Sequence, residues 1–529
     1  MPKVLIADKL APAAVDIFHN RGLETETAIG LSKDELIAKI PEFDGLVVRS
    51  ACKPDADVIA AADNLKVIGR AGIGVDNIDI KAATGKGVVV MNTPFGNAVT
   101  TAEHAIAMMF AAARQIPAAN AGTQAGDWPK KAFMGTELSY KTLGMIGCGN
   151  IGARVAERAK GLQMKVLAYD PFLTEERAIE LGVEKAADLD AMLARADAIT
   201  LHTPLTDQTR NILSAEALAK TKKGVILVNC ARGGLVDEAA VAEGLKSGHI
   251  GAAAFDVFAE EPAKENVLFG APNFIATPHL GAATTEAQEN VALQVAEQMS
   301  DYLLTGAVTN ALNMPSVTAE EARVMGPWLK LAEHLGSFVG QLTEDAIETI
   351  EITYNGVVKD MNLKALNCGA IAGVMKATNP DVNMVSAPII AKERGIELST
   401  VTQDKSGVFD GYIRLNVKSA SKERSIAGTV FSDGKPRFIQ IKGINIDAEI
   451  GEHMLYTTNE DVPGIIGTLG RTMGEMNVNI ANFTLGRASK GHQAIAMLYL
   501  DEQPPAAAVN ALKATGLFQQ VRPLRFSAH

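Results

Sequence analysis

Gly147, Gly149 and Gly152 fall in the spacing G-x-G-x-x-G, and the next apolar run, Val166 to Tyr169, ends on Asp170. Leu143, Met145 and Ile146 before the triplet read as a short buried strand. After it, Ile151, Val155, Ala156, Ala159 and Leu162 recur at helical period. The three glycines serve different ends, namely a tight turn, close approach of backbone to a pyrophosphate, and close packing of helix on strand. The helix start, with Asn150 and Ile151, offers free N–H groups and a positive dipole end to phosphates. An acid at Asp170 accepts hydrogen bonds from a ribose 2′-OH and repels a 2′-phosphate, which selects NAD over NADP. Three glycines alone mark no more than a Gly-rich turn. Strand, turn, helix, second strand and acid in this order imply a dinucleotide site.

Acid–base chemistry gathers downstream. The apolar runs Ala198–Leu201, Val225–Val228, Ala252–Val257 and Phe274–Ala276 are each followed by a polar cluster. These clusters are His202-Thr203-Pro204, Asn229-Cys230-Ala231-Arg232-Gly233-Gly234, Glu260-Glu261-Pro262 and Pro278-His279-Leu280-Gly281. In an open parallel sheet, residues past the strand ends face one crevice. Thr203, Cys230, Ala231, Asp256 and Gly281 are therefore expected against the cofactor together with Arg232 and His279. A hydride acceptor beside His, Glu and Arg suits oxidation of a 2-hydroxy acid. Histidine takes the alcohol proton, a carboxylate fixes its tautomer and stabilises the imidazolium, and the guanidinium holds the substrate carboxylate. The expected roles are His279 as base, Glu261 as its orienting partner and Arg232 as clamp. From position alone His202 and Glu260 stand as rivals. Cys230 has no histidine near it in sequence and reads as a small strand-end residue.

These residues need a scaffold. Val4–Ala7, Leu46–Val48, Val67–Ile68 and Val88–Met91 read as strands with helical patterns between them, one opened by a capping box at Ser32–Glu35. Such alternation predicts a doubly wound parallel sheet. Arg49 and Arg70 stand at its strand ends, where a guanidinium pair with Ser50 suits a carboxylate or phosphate. A helix over 100–115, with His104 expected to be structural, carries the chain to the glycine-rich unit, and a long helix over 286–304 returns it. Two crossings make a hinge. The predicted layout is a substrate domain (1–97 with 284–312), a Rossmann NAD domain (98–283), an α+β domain over 316–450 and a ferredoxin-like βαββαβ domain over 453–529.

Composition sets the outer limits. The chain has 529 residues, 47% hydrophobic and 21% charged, with a net charge of −11. That balance argues against nucleic acid or an anionic membrane as partner, so an anionic substrate needs a local basic pocket. Cys52, Cys148, Cys230 and Cys368 form no C-x-x-C pair, which suits a reducing cytoplasm, and no metal cluster is expected. The N-terminus carries no signal-peptide pattern. The longest apolar stretch, Ala105–Ala113, falls short of the roughly 20 residues of a membrane span.

The same motifs carry a resemblance. Arg70-Ala-Gly-Ile-Gly-Val-Asp-Asn, Gly147-Cys-Gly-Asn-Ile-Gly, Asn229-Cys-Ala-Arg-Gly-Gly, Asp256-Val-Phe-Ala-Glu-Glu-Pro and Pro278-His-Leu-Gly resemble the D-isomer-specific 2-hydroxyacid dehydrogenases over residues 1 to about 312. The resemblance implies Arg232, Glu261 and His279 as catalytic, which decides between the rivals. Val47-Val-Arg-Ser and Phe133-Met-Gly-Thr-Glu resemble the branch of that family acting on D-3-phosphoglycerate. This implies 3-phosphoglycerate as substrate, with Arg49 and Arg70 in contact with it and a basic residue of the 127–131 loop, here Lys130, reaching over from a neighbouring subunit. Many members have Arg where this chain has Lys130. Asn459-Glu-Asp-Val-Pro-Gly-Ile-Ile-Gly with Asn477-Val-Asn-Ile resembles an ACT domain, a module that binds amino-acid effectors. The 316–450 segment resembles the intervening domain of long-form members. Together these imply a homo-oligomer, dimer or tetramer, and an L-serine site at Asn459, Asp461 and Asn479. The weaker alternatives are another 2-hydroxyacid dehydrogenase, such as a glyoxylate/hydroxypyruvate reductase, and an NADH-sensing corepressor-like scaffold.

Overall fold

The computed structural model describes residues 1–128, 130–404 and 407–526. Pro129 of the 126–131 loop, Lys405 and Ser406 of the 316–450 region and the last three positions of the 453–529 region lie outside the described residues.

The first sheet holds β1 (Lys3–Ile6), β2 (Glu24–Thr27), β3 (Gly45–Val48), β4 (Val67–Arg70) and β5 (Val89–Met91). All pair in parallel, in the order β2-β1-β3-β4-β5. Its inner strands are apolar on both faces because helices cover both, and Val4, Leu46, Val67 and Val90 are fully buried. The expected capping box forms: Ser32 Oγ accepts from the Glu35 amide while the Glu35 carboxylate accepts from the Ser32 amide. One face is covered by the returning helix Thr285–Thr305, whose Val291, Val295 and Met299 join this sheet's core. Gly69 makes room for it, since a Cβ there would stand 2.1 Å from Met299 Sδ.

The second sheet holds β6 (Thr142–Ile146), β7 (Lys165–Tyr169), β8 (Glu184–Lys185), β9 (Ala198–Leu201), β10 (Val225–Asn229), β11 (Ile250–Phe255) and β12 (Phe274–Ala276). The order is β12-β11-β10-β9-β6-β7-β8, again all parallel. The chain winds outward from β6 in both directions. The crevice between the ends of β6 and β9 is thus the switch point where such sheets bind ligands. The crossing helix Ala98–Arg114 lies on this sheet through Ala102, Ala105, Met108 and Met109.

Beyond residue 315 the architecture changes. The third sheet holds β13 (Ile347–Gly356), β14 (Glu397–Gln403), β15 (Gly411–Ser419), β16 (Glu423–Val430), β17 (Pro436–Ile441) and β18 (Ile444–Glu449). Only β13 and β14 pair in parallel. The fourth sheet holds β19 (His453–Glu460), β20 (Ile480–Arg487), β21 (Gln493–Leu500) and β22 (Phe518–Arg525) in the order β20-β21-β19-β22. Its two helices, Ile465–Glu475 and Ala506–Ala514, complete the expected βαββαβ split. These last two sheets share a core: Tyr456 of β19 meets Phe338 of the helix Ala319–Leu342, and Phe526, just past β22, meets Phe438 of β17, with centroids 5.3 and 5.8 Å apart.

Two features differ from expectation. The helix expected from Trp328 begins at Ala319, because Thr318 and Glu321 form a capping box upstream and Pro327 is accommodated inside the helix. Strands β2, β8, β14 and β18 and the helix Ala387–Glu393 are additions to the expected elements. The 316–450 region also touches the first sheet. Val385 packs into the first sheet's core, and the Asn383 side-chain amide donates to the Gly87 carbonyl at 2.8 Å.

Candidate active site

The glycine triplet folds as its spacing requires. Ile146 and Leu201 are register partners, so the turns after β6 and β9 lie side by side. Gly147 adopts φ 90°, and a Cβ there would stand 2.5 Å from the His202 carbonyl oxygen. A Cβ at Gly152 would stand 2.3 Å from the Gly147 carbonyl oxygen, so helix and turn touch backbone to backbone. Gly149 faces open space and is exposed with Asn150, while Ile151 is half-buried. No side chain caps the start of the helix Asn150–Gly161. Its amides and the open Gly149 fit a pyrophosphate. Asp170 stands across this loop, accepting from the Cys148 amide and the Phe172 amide, both at 2.8 Å. Those bonds fix the orientation of the carboxylate beside the glycine turn.

His279 and Glu261 meet: Nδ1 lies 2.7 Å from Glu261 Oε2, and the His279 side chain is half exposed. His279 has φ 56°, a left-handed backbone conformation that a non-glycine residue adopts only where its surroundings hold it. Burial pushes the Glu261 carboxyl up, but the His279 hydrogen bond, the Phe258 amide and the Arg232 charge outweigh it and hold Glu261 below its usual range. It is therefore an anion, as the partner of an imidazolium must be. The rival His202 turns inward. Its Nε2 meets Thr200 Oγ1 at 3.0 Å, its Nδ1 is buried without a partner, and burial pushes its pKa down to about 4. Glu260 is exposed.

Arg232 crosses between the first two sheets. Its Nε donates to Asp76 Oδ2 at 2.9 Å and its Nη1 to the Ala231 carbonyl at 2.6 Å. The turn beneath it is built by Asn229, whose amide donates to the Arg232 carbonyl and whose Oδ1 accepts from the Ala231 amide. Arg70 approaches from the other side, its Nε donating to Asn77 Oδ1 at 3.2 Å. Burial pushes the Arg70 pKa down to about 10, and repulsion from Arg232 and Arg49 adds to it against the pull of Asp76 and Asp8. Three guanidiniums thus share one crevice, and an anion entering it relieves their repulsion. Asn77 also donates to the carbonyls of Arg49 and Cys52, and Asp8 accepts from the amides of the same two residues. Ser50 and Lys130 are exposed, and Thr203 and Ala231 are half-buried.

Several of the expected residues already have partners within the fold. Asp256, expected against the cofactor, is 0% exposed and spends its carboxylate on Thr277, Leu280, Gly281 and His104. Cys230 is buried, with its thiol pushed up by desolvation and by Asp256, so it offers backbone rather than sulfur. The three residues expected to meet an effector are each engaged locally. Asn459 is buried and donates to the Glu460 carbonyl, Asp461 pairs with Arg487 at 3.0 Å, and Asn479 donates to Asp501 at 2.7 Å.

Asp8, Asp76, Asn77 and Asn229 join the site without having been expected there. Asp8 had the available signal, since it follows β1 as Arg49 follows β3. The spacing of Gly72 and Gly74 held another: a Cβ at either would stand 2.3 Å from Arg70 Nη1 or 1.5 Å from Arg232 Nη2. Among the described residues no helix is long and apolar enough to cross a membrane, and no group of side chains could hold a metal ion.

Residues 106–281 match the family model of the D-isomer specific 2-hydroxyacid dehydrogenase NAD binding domain. That match and the parallel sheet around the glycine triplet place the protein in the class of NAD-dependent 2-hydroxyacid dehydrogenases, with NAD as cofactor. Residues 324–442 match the D-3-phosphoglycerate dehydrogenase intervening domain and 453–516 the ACT domain. A D-3-phosphoglycerate dehydrogenase of Archaeoglobus fulgidus is 42% identical over 510 residues, 96% of each chain. Another, of Bacillus subtilis, is 40% identical over 504 residues, 95% of each. The chain belongs to the D-3-phosphoglycerate dehydrogenase family. Among solved structures, the NAD+-bound 3-phosphoglycerate dehydrogenase of Entamoeba histolytica is 32% identical at a TM-score of 0.51, covering 59% of this chain and 98% of that one.

Proposed function

We propose that this protein oxidises D-3-phosphoglycerate to 3-phosphooxypyruvate with NAD, the first committed step of L-serine biosynthesis, in the cytoplasm. The observation that carries the reading is the convergence of the His279–Glu261 pair with Arg232, Arg70 and Arg49 beside the glycine turn. When bound, NAD would supply the hydride acceptor. Gly147, Gly149, Gly152, the helix start at Asn150–Ile151 and Asp170 would hold it, and Thr203, Cys230, Ala231 and Gly281 would line its cleft. His279 takes the C2 hydroxyl proton at its free Nε2, and Glu261 holds the ring in the matching tautomer and balances the imidazolium. Arg232 holds the substrate carboxylate and polarises the C2 oxygen. Arg70 and Arg49, with Ser50 and, reaching over from a neighbouring subunit, Lys130, read the phosphate.

The division into 1–97 with 284–312, 98–283, 316–450 and 453–529 is supported by the membership of the four sheets. A homo-oligomer is supported by the exposed Ile116, Trp128, Met134 and Tyr140 along one segment of the chain. L-Serine as effector is supported by the ACT match alone, with Asn459, Asp461 and Asn479 as candidate contacts.

The test is NADH formation by the purified chain. D-3-Phosphoglycerate is expected to reduce NAD with much higher kcat/KM than an unphosphorylated 2-hydroxy acid. Equal use of both acids would favour the second reading, a general 2-hydroxyacid dehydrogenase.

A further inference from the structure

His104 lies in the crossing helix Ala98–Arg114 and reaches the turn that carries His279. Its Nε2 stands 3.2 Å from both Asp256 Oδ1 and Thr277 Oγ1. Asp256 is the hub of that turn. Its Oδ1 accepts from the Thr277 hydroxyl at 2.6 Å and the Leu280 amide at 2.7 Å, and its Oδ2 accepts from the Gly281 amide at 2.8 Å. The His279 amide donates to the Asp256 carbonyl at 2.9 Å. Two residues beyond Asp256, the Phe258 amide donates to Glu261. Both members of the acid–base pair therefore hang from Asp256, and the side chain reaching its carboxylate from outside this loop system is His104. The same helix grips the turn again at Thr101, whose hydroxyl lies 2.9 Å from the Gly281 carbonyl.

We propose that His104 is a positioning residue for the dehydrogenation: its Nε2–H, donated to Asp256, fixes the 277–281 turn so that His279 faces both Glu261 and the C2 hydroxyl. The inference rests on the proposed function for the identity of the reaction. A carboxylate enclosed as fully as Asp256 needs every donor it has, and losing one lets the turn relax. His279 keeps a left-handed φ only while that network holds it. Displacing a general base by a fraction of an ångström slows proton and hydride transfer while leaving substrate and cofactor contacts in place. The charged groups around the pair are few. Glu261 faces His279 and itself feels the Arg232 charge, and Asp256 faces His104, while Glu103 on the same helix is turned to Arg158.

The test compares His104→Leu, which keeps bulk and loses the donor, with His104→Gln, whose amide can donate from nearly the same place. His104→Leu is expected to lower kcat by roughly 10- to 100-fold. KM for D-3-phosphoglycerate and the Kd of NAD should stay within about threefold, and the isotope effect with substrate deuterated at C2 should rise. His104→Gln should recover most of the loss. Should His104→Leu fail to fold, Thr277→Val removes a donor to the same Asp256 oxygen and should give the same signature. Unchanged kcat in the leucine variant overturns the proposal, as does a loss that glutamine does not relieve or that falls equally on NAD binding. A wild type that does not oxidise the acid at all sinks the functional reading first, and this inference with it.

Discussion

The catalytic crevice and the C-terminal ACT domain both gather polar side chains at strand ends, yet they use them differently. In the crevice, charged groups from distant parts of the chain face one another: Arg232 of the second sheet pairs with Asp76 of the first, and Arg70 feels Arg232 and Arg49. In the ACT domain Asp461 pairs with Arg487 of the next hairpin, and Asn479 with Asp501. The first arrangement leaves cations crowded, so an anion binding there is drawn in. In the second the charged groups are already paired and only the buried Oδ1 of Asn459, among the three expected contacts, lacks a partner, so an effector must displace a partner of Asp461 or Asn479 or bring a second domain. Crowded charge marks a site shaped for a ligand, whereas satisfied charge marks a folded hairpin.

The largest expected break in this contrast comes from His279→Ala. It should lower kcat by about 10²- to 10⁴-fold while NAD still binds, measured by initial rates and a cofactor titration. Near wild-type turnover would return the base role to His202, whose ring is buried. Glu261→Gln should act more mildly and carry a pH signature. Glu261 is held below its usual range, so it is charged throughout the working pH. Removing the charge disfavours the imidazolium. The acid limb of oxidation, which needs neutral His279, then moves to lower pH, and so does the basic limb of reduction. Unmoved limbs would deny Glu261 the partner role.

Asp170→Ala should come next, by narrowing the preference for NAD over NADP through loss of both the acceptor and the repelling charge. Unaltered discrimination would assign selection elsewhere.

The smallest effect belongs to the ACT side. Millimolar L-serine, against D-serine as control, should raise the melting temperature by the mass-action term for binding and change the initial rate. Asp461→Ala should weaken that response without touching basal turnover. No shift at all would leave the ACT hairpin as pure scaffold.

How much of this was legible follows from the same contrast. A parallel sheet places the residues after every strand at one crevice, so Arg49, Arg232 and His279 could be read as candidates from the apolar runs, with His202 and Glu260 left as rivals until the family resemblance decided between them. Asp76 and Asn77 could not, because their partners are contributed by other strands and, for Asp76, by another sheet. Asp256 ends an apolar run like its neighbours, and only the observed burial tells a residue that holds the turn from one that meets a ligand. Strand β14, Glu-Leu-Ser-Thr-Val-Thr-Gln, is an edge strand exposed on most of its length and has no apolar alternation to announce it. Strand β18 does alternate, but the short Lys442-Gly443 turn merges it with β17.

On the proposed function, the guanidiniums of Arg49 and Arg70 make this crevice a reader of phosphate. The most direct measurement is kcat/KM for D-3-phosphoglycerate and for D-glycerate, in the wild type and in the Arg49→Ala and Arg70→Ala variants. Each variant should lose roughly 10- to 150-fold on the phosphorylated acid, the worth of about 1.5–3 kcal/mol for a charge-assisted hydrogen bond, and much less on D-glycerate. Equal losses on both acids would contradict the claim and place these arginines on the shared carboxylate or in the scaffold.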